Sequence, residues 1–146
     1  MKQKLSALIL SLTISLAMPA GGFASTDVIE ARKANFKQSG GAMRQMRGQL
    51  QSGDYDAIAI SAAEIAAWAE KMPEFFPKDS GPDANRTNAK ATIWDQFDSF
   101  TALANNNQRA ALALANAAKT GDANAIMSNM QELGKTCGAC HSQFKN

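Results

Sequence analysis

The sequence predicts an all-α chain folded as an antiparallel four-helix bundle. Three observations carry that expectation. Alanine, leucine, glutamine and lysine dominate from Ser25 onward, no run alternates β-branched with polar residues, and apolar side chains recur at helical spacing in four separate stretches. The 146 residues fit one domain.

Residues 1–24 are set apart. Lys2 and Lys4 precede an apolar run from Leu5 to Met18, followed by Pro19 and small residues up to Ala24, the pattern of an export signal removed before the protein works. A membrane anchor is the rival reading, but a spanning helix needs about 20 apolar residues, and Ser11, Thr13 and Ser15 dilute this shorter run. The working domain is therefore expected over residues 25–146, in the periplasm and off the membrane once the signal is gone. Removing Lys2 and Lys4 from the 15 basic residues leaves 13 against 13 acidic ones. That balance, with no basic and aromatic stripe, implies no nucleic-acid partner.

The first helix is expected from about Thr26 to Leu50, with an inward stripe of Ile29, Phe36, Met43, Met46 and Leu50. Gly40 and Gly41 are expected to interrupt it with a bend or a close helix contact, since each glycine costs about 1 kcal/mol against alanine. Gln51-Ser52-Gly53-Asp54 ends it, and Asp54 caps a second helix reaching about Met72, with Ile58, Ala62, Ile65, Ala69 and Met72 buried. Pro73, Pro77, Gly81 and Pro82 mark a loop to about Thr87. The third helix is expected from about Asn88 to Thr120 on the stripe Ile93, Phe97, Phe100, Ala104 and Ala111, with Gly121 as its stop. Asp122 caps the fourth, whose residues Ile126, Met130, Leu133, Cys137, Cys140 and Phe144 step by fours and threes into a bundle seam.

The fourth helix ends in Cys137-Gly138-Ala139-Cys140-His141, the C-x-x-C-H form of c-type haem attachment. Two thiols at this spacing reach the two vinyl groups on one porphyrin edge, and His141 then offers its imidazole to the iron from the same side. Cys137 and His141, four apart, share one helix face. Other readings fit less well. A redox dithiol normally opens a helix after a strand, a zinc site needs about four ligands where two cysteines and one histidine are on offer, and a disulfide across two helical residues is geometrically poor.

His141 is the only histidine, so the sixth iron position falls to another residue or to none. In an antiparallel bundle the end of helix 4 lies beside the start of helix 1, so the residues opposite His141 should come from about Val28 to Phe36, a stretch with no methionine. Met43 is about 10.5 Å further along and reads as core filling. The expectation is a five-coordinate iron facing an apolar side guarded by Phe36, open to nitric oxide and carbon monoxide, though Phe36 as plain core remains the bland alternative. A low-spin methionine and histidine electron carrier, or a haem-free helical module with a disulfide, are the alternatives in function. The chain shows no Ser/His/Asp set, no paired acid-base carboxylates and no phosphate loop, so no enzyme is expected.

The C-terminal Cys137 to His141 motif with Phe144 and Lys145 after it, the Arg32-to-Phe36 spacing and the Ile93-Trp94 pair together resemble the cytochrome c′ family. The resemblance spans essentially all of the chain after residue 24. It implies a left-handed four-helix bundle, a homodimer and one high-spin, five-coordinate haem c per chain in a periplasm, binding nitric oxide and carbon monoxide and passing electrons to an unidentified redox partner. It also implies residue roles: Arg32 near the haem propionates, Lys33 as a polar haem contact, Phe36 as the bulky distal residue, Lys145 beside the proximal imidazole, and Asp79 and Ser80 at the haem edge. Read without the family, Arg32 and Lys33 would be a solvated helix face.

Overall fold

The computed structural model describes residues 25–82 and 87–146. The expected signal segment, residues 1–24, lies outside the described residues. Four long helices form the bundle: α1 (Ser25–Ser52), α2 (Tyr55–Lys71), α4 (Phe97–Ala118) and α5 (Ala123–Phe144), with a single turn, α3 (Thr92–Asp95), before α4.

The hairpin turns obey local chemistry. Gly53 and Gly121 each sit at φ 76, a left-handed conformation that favours glycine and stops the preceding helix. The Asp54 carboxylate then accepts from the Ala57 N–H at 3.2 Å, and that of Asp122 from Asn124 and Ala125 at 2.9 and 3.2 Å, satisfying donors that α2 and α5 would leave orphaned. All five residues expected on the inner face of α2 are buried.

The interior has two parts. Near the two hairpin turns, Met46, Ile58, Ile65, Leu114, Ile126 and Leu133 interlock as an aliphatic core, each buried side chain contributing about 1.5–3 kcal/mol. At the other end the core is aromatic: Trp68, Phe76, Phe100 and Phe144 pack with Met72 and Ile93. Packing is extensive between α2 and α4 and between α4 and α5, whereas α1 and α5 barely meet. The space between them at the aromatic end is the cavity described below.

Two expectations need correction. The third helix does not start at Asn88. Ala89 pairs with Lys145 in an antiparallel bridge, Lys90 N–H donates to Phe144 O at 3.0 Å and Asn146 N–H to Asn88 O at 2.9 Å, so the C-terminal tail holds this stretch extended. After the α3 turn, Gln96 (φ −125, ψ 42) leaves the helical region and α4 starts afresh. Nor do Gly40 and Gly41 interrupt α1, which runs unbroken. A Cβ on Gly40 would meet only the Arg44 guanidinium, at 3.6 Å, so no close helix contact requires glycine there.

Candidate haem site

Where α1 and α5 diverge, a cavity of about 770 Å³ opens, lined from α1 by Arg32, Lys33, Phe36, Lys37 and Met43 and from α5 by Cys137, Cys140, His141 and Phe144. Its size lies within the range of about 300–1,000 Å³ typical of cofactor sites. The aromatic core supplies much of the rest of its wall, with Trp68, Phe76 and Phe100.

The motif residues converge on this space because the seam of α5 changes character along its length. Leu133 and Phe144 are buried against neighbours, while Cys137 and Cys140 between them are half-buried at the cavity wall. Both cysteines are unbridged thiols. Burial pushes both thiols up, Cys140 to about 11 with a further contribution from neighbouring Cys137. At Cys137 the Asn107 amide works against burial, donating to Sγ at 3.4 Å. Burial and the Lys145 charge both lower the His141 pKa, favouring the neutral imidazole that a metal ligand must be.

Arg32 is no solvated face residue. It is 2 % exposed, and its guanidinium donates to Phe75 O (3.2 Å), Ser80 Oγ (2.8 Å), Ser80 O (2.8 Å) and Thr87 Oγ1 (2.8 Å) while stacking 4.4 Å over the Phe76 ring. Among the described residues it has no carboxylate partner. Burial lowers its pKa to about 10, so at neutral pH it stays a cation. These four bonds make Arg32 the tie that fastens Phe75, Ser80 and Thr87 to α1.

The other expected residues fall into two groups. Lys33, Phe36 and Lys145 line the cavity; Asp79 and Ser80 do not. Asp79 is exposed, and Ser80 is fully buried beneath Arg32. The Lys33 ammonium meets Glu30 at 3.0 Å. Phe36 is 36 % exposed. Lys145 follows α5, its N–H closing onto His141 O at 3.1 Å.

Some of the wall was not read from the sequence. Met43, expected as core filling beyond the Val28 to Phe36 stretch, and Met72, expected only as buried, both line the cavity. The wall of α1 extends two turns beyond Phe36 because the cavity follows the divergence of whole helices. Asn107, buried and donating to Thr136 Oγ1 at 2.8 Å as well as to Cys137 Sγ at 3.4 Å, is one of five consecutive polar residues, Asn105 to Arg109, and nothing in the sequence singles it out. The buried Trp68 indole N–H has no acceptor among the described residues.

A family model, Cytochrome C′, matches residues 27–145. The chain belongs to the cytochrome c′ family. A cytochrome c′ of Rhodospirillum rubrum is 46% identical over 87 residues, 60% of this chain and 58% of that protein. That of Pararhodospirillum photometricum is 38% identical over 122 residues, covering 80% of this chain and 94% of its own. The crystal structure of cytochrome c′ from Thermochromatium tepidum superposes with a TM-score of 0.76 at 28% identity, over 84% of this chain and 97% of that one.

Cytochrome c′ proteins carry one covalent haem c per chain, and the residues present fit that group. Two unbridged thiols and one imidazole share a single wall of a cavity that is otherwise mainly apolar, and the buried Arg32 cation has no anion of the chain's own among the described residues. A disulfide between Cys137 and Cys140, the haem-free alternative, is not formed.

Proposed function

We propose that this chain is an exported cytochrome that holds one haem with a vacant iron face, binds small uncharged gases such as nitric oxide and carbon monoxide, and exchanges electrons. The single observation that carries the reading is that His141 on α5, the sole histidine of the chain, and Phe36 on α1 line the same cavity.

In this reading Cys137 and Cys140 are the thioether anchors and His141 the axial ligand. The haem supplies an iron that takes up one electron or a small ligand. Phe36 excludes water and bulky ligands, and its partial exposure lets the ring move aside. Lys145 keeps positive charge beside the imidazole. Lys33 borders the haem, and Arg32, without a carboxylate partner among the described residues, offers the propionates a cation while fastening Phe75, Ser80 and Thr87. Asp79 and Ser80 stand back from the wall, so Ser80 acts through Arg32. Residues 1–24 serve as the signal that delivers the chain to the periplasm. Among the described residues no helix is long and apolar enough to cross a membrane. The homodimer belongs to the same reading, supported by Ile60 on α2, at 63 % the most exposed of the large hydrophobic residues described.

The test is titration of the reduced holoprotein with carbon monoxide. One equivalent should shift the haem absorption, with saturation at one ligand per chain. An absorption spectrum unmoved by saturating carbon monoxide would refute a vacant iron face.

A further inference from the structure

The charged residues lining the cavity are all of one sign. Arg32, Lys33, Lys37 and Lys145 line it, and among the described residues no carboxylate does. The chain as a whole has 15 basic and 13 acidic residues, so this segregation does not follow from composition. Arg32 is buried against Phe75, Ser80 and Thr87, and Glu30 offsets Lys33 at 3.0 Å. Lys37 on α1 and Lys145 after α5 are exposed and have no ion-pair partner among the described residues. They flank the space from its two diverging walls.

We propose that this rim steers the electron-transfer partner, and that the partner is a protein offering an acidic contact face. The inference rests on the haem reading. Haem brings two propionate carboxylates, for which the buried Arg32 is the inner cation, while Lys37 and Lys145, without ion-pair partners among the described residues, present positive charge to solvent. Like-signed charges around a low-dielectric cleft focus the field and raise encounter rates with opposite charge by about 10- to 1,000-fold at low salt. The Debye length shrinks from about 30 Å at 0.01 M salt to about 10 Å at 0.1 M, so salt should erase the effect.

Ferricyanide and the tris(phenanthroline)cobalt(III) cation serve as oxidants of opposite charge for the reduced holoprotein. Each takes one electron from the ferrous iron, leaving it ferric and giving ferrocyanide or the cobalt(II) complex. Salt should slow the ferricyanide reaction and leave the cobalt reaction unchanged or faster. Lys37→Glu should lower the ferricyanide rate about tenfold at low salt, Lys37→Arg should restore it, and Lys119→Glu, at the opposite end of the bundle, should change it little. A readout without electron transfer uses redox-inert hexacyanocobaltate(III), whose cobalt resonance should broaden with the native protein and less with Lys37→Glu. A ferricyanide rate that ignores salt, or falls equally in the Lys37→Glu and Lys119→Glu variants, would overturn the rim. Failure of the haem reading is distinct, since protein without haem gives no oxidisable absorbance, whereas a six-coordinate spectrum leaves the charge comparison intact.

Discussion

Phe36 on α1 stands edge-on to Trp68 on α2, with ring centroids 5.4 Å apart and ring planes perpendicular. Both rings line the cavity, and Phe36 is the one partly open to solvent. An aromatic pair of this kind contributes about 0.5–1.5 kcal/mol beyond its burial, so swinging Phe36 away is affordable for a ligand that binds iron well. Phe36→Ala should raise carbon monoxide affinity by up to about tenfold, the equivalent of that energy, as read from equilibrium titration of the reduced protein. Unchanged affinity would pass the guarding role to Met43 or Met72.

Among the described residues the buried Trp68 N–H finds no acceptor. A buried unsatisfied donor costs about 1–3 kcal/mol, so the indole contributes packing and subtracts desolvation. Trp68→Phe should therefore stay within about 1 kcal/mol of the parent in urea unfolding, while Trp68→Ala should lose about 3–5 kcal/mol. Equal losses for the two variants would mean the N–H has a partner in solution.

Arg32 makes four hydrogen bonds to Phe75, Ser80 and Thr87. Arg32→Met should destabilise the fold by about 2–4 kcal/mol, by stranding their acceptors, and should speed amide exchange in residues 75–80. Arg32→Lys should not rescue it, because an ammonium cannot span the fork. The pH sign also follows. With burial lowering its pKa from the ordinary guanidinium value to about 10, Arg32 is held as a cation more weakly in the folded than in the unfolded chain. Its contribution to stability rises with pH only between those two values and gives no slope near neutrality.

Ile60 tests the assembly. Charging its exposed side chain as Ile60→Glu should turn a dimer into a monomer on analytical ultracentrifugation without altering the haem spectrum. A variant that sediments as the parent does would place the subunit contact elsewhere.

Much of this architecture could be read from local signals. Asp54 and Asp122 cap the helices they were expected to cap, the five residues expected on the inner face of α2 are buried, though Ala66 and Trp68 join them unforeseen, and the haem motif is contiguous. What escaped was non-local. Nothing around Asn88 reveals that a tail more than 50 residues later will hold it extended. Arg32, polar and helical, looks solvated until the segment that buries it is in place. The glycines of α1 were expected to break a helix that tertiary packing keeps whole. Met43 and Met72 line the cavity from two different helices, α1 and the end of α2, a juxtaposition that spacing within one helix does not report.

The vacancy opposite His141 is the claim on which the function turns, and the spin state of the ferric iron tests it most directly. Electron paramagnetic resonance of the oxidised holoprotein at neutral pH should show a predominantly high-spin signal, as expected for one imidazole and no protein ligand across the ring. A low-spin spectrum, with Met43 and Met72 as the available sulfur donors on the cavity wall, would contradict it.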